Sequence, residues 1–231
     1  TLVAMGSKRD KRALSAAYDY LVLGTIGATF FVIGIGMIFQ ATGTLNIADL
    51  ATKLQGMQEN RTVQSGLAFI VIGMGLKIAI FPLHRWLPGA YAFAPSSISA
   101  FLAGTSTKVA IYVLLRFLFS VYSTNFIFEI NTLEYIIMPL AVLGMFVGSA
   151  VAIYQANLKR LLAFSSVAQV GYMLLGISLI TVDGVTATMA HMFNHAITKG
   201  ALFLAVGAII NRIGSPLVRD MEGIGKQMPW T

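Results

Sequence analysis

Long apolar runs separated by short polar connections set the organisation of this chain. Six stretches are rich enough in Leu, Ile, Val, Phe, Ala and Gly to cross a hydrocarbon layer: 14–39, 64–84, 96–121, 134–154, 158–180 and 185–210. Each meets or approaches the roughly 20 residues that a layer about 30 Å thick demands. Backbone polar groups cannot be left open in lipid, so the six are predicted to be helices. The expected fold is all-α, a polytopic transmembrane bundle of about six spans forming a single transmembrane domain over 1–231. The longest connection, 40–63, begins ATGTLNIADL and fits a short surface helix. Gly24, Gly27, Gly34, Gly36, Gly144 and Gly148 either admit close helix contacts or are ordinary membrane-helix residues.

Composition supports this picture. Of 231 residues, 57% are hydrophobic and only 11% are Asp, Glu, Lys or Arg, against about 25% charged in a soluble domain. Mean hydropathy is +0.78. The chain contains no cysteine, so disulfides and thiolate metal sites are excluded. The net charge of +7 does not indicate nucleic acid, because no cluster of Lys and Arg is interleaved with exposed aromatics. The cations sort by side instead. Lys8, Arg9, Lys11, Arg12, Arg85, Lys159, Arg160, Arg212, Arg219 and Lys226 fall on one side. Lys53 and Arg61 fall on the other, with Asp49, Glu59, Glu129, Glu134 and Asp183. The positive-inside rule then places both ends in the cytoplasm.

Four cations remain inside the apolar runs: Lys77, Lys108, Arg116 and Lys199, joined by His191 and His195. A charge at the bilayer centre costs about 2.5–3.5 kcal/mol on insertion scales, so such residues mark function by default. Lys77 lies thirteen residues beyond Gln64, about 20 Å along a helix, too deep for easy snorkelling. Pro82 follows it and removes a donor, which breaks the helix and frees the carbonyl of Ile78. Lys77 therefore either faces a wet cavity at the break or caps that carbonyl. His84 fits a site residue or an interfacial anchor, and Arg85 fits an anchor.

Lys108 follows Gly104, Thr105, Ser106 and Thr107, with Tyr112 and Arg116 at i+4 and i+8. Arg116 lies near an interface, where snorkelling competes with a site role. His191, His195 and Lys199 are spaced i, i+4, i+8, within an arc of about 80°. A His pair at i, i+4 is a zinc pattern only with further ligands, and the second position here is Met192 with no acid or thiol nearby. No metal or other cofactor is expected. Lys and His both exchange protons, and at low dielectric their charge states depend strongly on neighbouring charges. Lys77, Lys108, His191, His195 and Lys199, linked by hydroxyls and water, suit a proton relay. No G-x-S-x-G, deep carboxylate pair or phosphate loop is present to suggest hydrolysis. The absent deep carboxylate matters, because a relay lysine needs an acid partner from further sequence or another subunit.

KIAIFPLHRWLPGAYAFAPSSISAFLAGTSTKVAIYVLLRF, NLKRLLAFSSVAQVGYMLLGI and HMFNHAITKGALFLAVGAII resemble the core of the antiporter-like membrane subunits shared by Mrp-type Na⁺/H⁺ antiporters, respiratory complex I (NADH:quinone oxidoreductase) and membrane-bound hydrogenases. The resemblance covers nearly the whole chain. AMGSKRDKRAL, YDYLVLGTIGATF and ATGTLNIADL are most similar to the D-type subunits of the Mrp antiporters. The resemblance implies that Lys77 pairs with a glutamate on the preceding helix and that Lys108 is the connecting lysine. It also implies that His191, His195 and Lys199 lie on a central polar axis, with Pro82 at the break. In the family pattern the glutamate falls upstream of Thr1 and a last broken helix falls beyond Thr231, so the chain is expected to be an internal fragment of a longer subunit.

Three readings follow. The first is a proton-translocating subunit of a multisubunit Na⁺/H⁺ antiporter, a transporter with no bound cofactor. The second is a pumping subunit of a redox complex, formally part of an oxidoreductase. The third is a remnant that conducts nothing. The first two imply a multi-pass protein of a bacterial or archaeal cell membrane. Its partners would be other membrane subunits, the lipid bilayer, protons and, for the antiporter, Na⁺.

Overall fold

A computed structural model describes residues 2–8, 10–122, 127, 133–229 and 231. Arg9 and Glu129, two of the residues used to assign sidedness, lie outside these. The described chain is helical. Helix α1 spans Arg12–Thr42, α2 Ile47–Lys53, α3 Arg61–Ile78, α4 Trp86–Phe93 and α5 Ser96–Leu115. A π-helical turn, Arg116–Val121, prolongs α5. A second, Leu133–Ile137, leads into α6, Met138–Ile153. Helices α7, Leu158–Ser178, and α8, Val182–Ile213, complete the bundle. The surface helix expected within 40–63 is α2.

Among the described residues, five segments are long and apolar enough to cross a membrane: Arg12–Thr42, Ser96–Val121, Leu133–Ile153, Leu158–Ser178 and Val182–Ile213. The sixth expected span, 64–84, is interrupted. Its helical part, α3, ends at Ile78 after 18 residues. Asn46, Asn60, Asn157 and Thr181 cap the N-termini of α2, α3, α7 and α8 by accepting from first-turn backbone N–H groups. Gly43 (φ 71°) and Gly214 (φ 77°) end α1 and α8 in the left-handed conformation.

The break falls near Pro82, as the sequence predicts, and the structure adds how the chain turns there. The chain leaves α3 at Ala79, which takes a left-handed φ of 66°. Pro82 lies in the non-helical turn between α3 and α4, four residues beyond Ile78, where α3 ends. The carbonyls left open at the end of α3 find other donors. Gly75 O accepts from Ala79 N and from Ile80 N, the latter at 3.0 Å. Leu76 O accepts from the Trp86 indole at 2.7 Å. Lys77 caps none of them among the described residues. The end of α4 is closed similarly: Ser99 Oγ donates to Tyr91 O at 2.7 Å, and Lys159 Nζ donates to Ala94 O at 2.8 Å.

Packing explains which glycines matter. Helices α1 and α3 lie side by side, as do α6 with α7, α5 with α8, and α7 with α8. A Cβ at Gly73 would stand 2.6 Å from the Gly27 carbonyl and from Phe31 N, and one at Gly34 would stand 2.7 Å from Gly66 O. At Gly148 it would meet Ala168 N at 2.9 Å. Gly24 and Gly36 face open space. These approaches bring backbones together where dispersion, not hydrophobicity, drives association.

Gly73→Ala is therefore expected to destabilise the solubilised protein by about 1–3 kcal/mol, the usual cost of overpacking. Gly36→Ala should leave thermal unfolding almost unchanged. Equal unfolding temperatures for both variants would refute this account of the α1–α3 seam.

Candidate functional site

Two helices build the polar centre. Helix α5 carries Lys108 and α8 carries His191, His195 and Lys199, and the two pack together. Lys108 is 7% exposed, and His195 and Lys199 are each 5% exposed. His191 is half-buried at the edge of the arc.

Each ammonium is held by backbone oxygen. Lys108 Nζ donates to Ala103 O. Lys199 Nζ reaches across to α7, donating to Leu162 O at 2.9 Å and to Ser165 Oγ. Ser165 Oγ itself donates to Leu162 O at 3.0 Å, closing a three-membered polar cluster. The rings of His191 and His195 stack, with centroids 6.1 Å apart and planes 7° apart, and Tyr172 meets His191 edge-on. Both ring nitrogens of His195 and Nε2 of His191 are buried without a hydrogen-bond partner among the described residues. Lys108 lies within electrostatic reach of Lys199, and His195 within reach of both lysines and of His191.

No acid balances these groups among the described residues. The ion pairs found there are Arg12–Asp10, Lys53–Asp49 and Arg219–Asp220, all on exposed or half-exposed side chains at helix ends or in connections. Hydrogen bonding from Lys53 holds the Asp49 carboxyl below its usual range. No group of three or more His, Cys, Asp or Glu suited to a metal occurs among the described residues.

The remaining sequence-derived candidates separate from this cluster. Lys77 is exposed and lines a groove of about 660 Å³ between α1, α3 and α5, with Tyr20, Thr25, Trp86 and Ser106. It has no hydrogen bond or ion pair among the described residues. Its side chain therefore lines this groove and does not cap the Ile78 carbonyl. Tyr112 is 47% exposed and Arg116 is exposed at the start of the π-helical turn, so neither joins Lys108 in the buried cluster. His84 packs between Phe81 and Phe164 at centroid distances of 5.4 and 6.1 Å. Two of the buried contacts carry no sequence signal. Ser165 stands in a run where serine is common, and Lys159 reads as a surface cation although it is 6% exposed.

The described residues thus form a helical bundle with a buried cluster of basic, titratable side chains and no acid beside it. The chain belongs to the NADH:quinone oxidoreductase/Mrp antiporter transmembrane family, whose model matches residues 1–231. It is 40% identical over 230 residues to NADH-quinone oxidoreductase subunit N of Desulforudis audaxviator, covering 100% of this chain and 45% of that protein. It is 31% identical to the D-type subunit of a Na⁺/H⁺ antiporter of Alkalihalophilus pseudofirmus, covering 99% of this chain and 45% of that one. The structure of an archaeal membrane-bound sulfane sulfur reductase, a respiratory membrane complex, contains a chain that superposes with a TM-score of 0.85 at 34% identity, over 97% of this chain and 45% of the other. The chain thus spans about half the length of these relatives and is a multi-pass membrane protein.

Ser165→Ala should cost about 1–3 kcal/mol by leaving Lys199 and a buried network short of a partner. Ser165→Thr, which keeps the hydroxyl, should recover most of it. Thermal unfolding of the assembled protein checks both, and an alanine variant as stable as the parent would show that Ser165 does not anchor Lys199.

Proposed function

We propose that this chain forms the proton-conducting core of an antiporter-like subunit, with Lys108, Lys199, His195 and His191 as the buried relay and Lys77 as the group at its open groove. The observation that carries the reading is the burial of two lysines and a histidine on adjoining helices, within electrostatic reach and without an acid among the described residues. Two unit charges about 4 Å apart interact by about 4 kcal/mol at an effective dielectric of about 20, so moving one proton resets its neighbours. The unpartnered nitrogens of His195 are where a mobile proton carrier would be received. The balancing carboxylate comes from further sequence or from a partner membrane subunit. The cation-rich ends face the cytoplasm in this reading.

Redox-driven pumping is the coupling favoured here, supported by 40% identity to a quinone oxidoreductase subunit and by the similarity to a sulfur reductase chain. Sodium-driven antiport is the second reading, supported by the 31% identity to a D-type antiporter subunit.

The full-length protein, assembled with its partners in sealed vesicles, is expected to move protons, and Lys108→Ala should abolish this with assembly intact. Full transport in that variant would remove the relay. Proton movement that requires an electron donor supports the pump, whereas movement driven by a sodium gradient alone supports the antiporter.

A further inference from the structure

A second cavity, of about 400 Å³, lies apart from the relay and is lined by Asp19, His84, Arg85, Arg160, Phe93 and Phe164 with Pro88 and Gly89. Its volume falls within the roughly 300–1,000 Å³ typical of ligand clefts. Three elements meet there. Asp19 is seven residues into α1, Arg85 precedes α4, and Arg160 lies in the first turn of α7. Helix α1 has 31 residues, about 46 Å at 1.5 Å per residue, which exceeds a hydrocarbon core of about 30 Å. Asp19, about 10 Å from the start of α1, therefore falls at the membrane boundary, as Arg160 does at the start of α7.

The charges in this cavity are unspent. The side chains of Asp19, Arg85 and Arg160 make no hydrogen bond or ion pair among the described residues, whereas nearby Arg12 pairs with Asp10 and covers the Phe93 ring at 4.9 Å. The Nδ1 of His84 is also buried without a partner among the described residues. Two arginines suit a phosphate, which their planar forks bind well. A phosphate alone would be repelled by Asp19, so the carboxylate calls for a cation on the same ligand.

We propose that this cavity binds the headgroup of a zwitterionic phospholipid carrying a phosphate and a primary ammonium, as in phosphatidylethanolamine. Arg85 and Arg160 receive the phosphate, and Asp19 receives the ammonium. The acyl chains leave along the apolar flank of α1 and α7.

The test uses the full-length assembled complex in vesicles of equimolar phosphatidylethanolamine, phosphatidylglycerol and phosphatidylcholine. The complex is then extracted gently, and the retained lipids are quantified by mass spectrometry. The parent should retain phosphatidylethanolamine well above its bulk share. Arg85→Gln/Arg160→Gln should lower that excess roughly tenfold, the scale of one or two lost charge-assisted hydrogen bonds. Arg85→Lys/Arg160→Lys should keep part of it. Asp19→Asn should lose the preference for phosphatidylethanolamine over phosphatidylglycerol while still holding a phospholipid. If the double variant does not assemble, the parent and Asp19→Asn decide alone. Retention at the bulk ratio in the parent overturns the proposal, as does a preference that Asp19→Asn leaves intact. Displacement of all retained lipid by millimolar inorganic phosphate would make the site a free-anion site and also overturn it.

Discussion

Inside hydrocarbon, a polar group that is not satisfied by the protein is satisfied by nothing, and most features of this fold answer that constraint. Lys108 and Lys199 lean on the carbonyls of Ala103 and Leu162. The hydroxyls of Thr25, Thr29, Thr105 and Ser166 return to carbonyls four residues back on their own helices. Where α3 stops, Trp86 crosses the turn to take Leu76 O. Where α4 stops, Ser99 and Lys159 take the carbonyls it leaves. The broken helix survives because its open ends draw donors from elsewhere in the chain.

The same constraint accounts for how far the sequence could be read. Helices in lipid are obligatory, so apolar length alone located α1, α5, α6, α7 and α8 to within a few residues. The spacing of His191, His195 and Lys199 placed them on one arc because helical geometry leaves no alternative, and the burial of His195 and Lys199 agrees. What escaped was tertiary. Pro82 marks where the helix breaks, but Ala79 makes the turn, and no local rule marks an alanine for a left-handed conformation. Tyr112 and Arg116 share a face with Lys108 in a helical projection. The neighbours of α5, which decide which side is buried, are invisible in that projection.

Lys159 illustrates the limit best. Its neighbour Arg160 is exposed, and a charge count treats the two as equals. One is a surface cation beside a cavity; the other is a buried strut between α7 and the α4–α5 connection. Their difference lies in a partner 65 positions away in the chain.

The α1–α3 seam has a mechanical consequence. With Gly27, Gly34, Gly66 and Gly73 in close backbone approach, the two helices interlock like teeth, and neither can slide along the other without steric collision. Lys77 thus sits on a helix wedged against α1, and the Trp86 indole ties the end of that helix, at Leu76 O, to the start of α4.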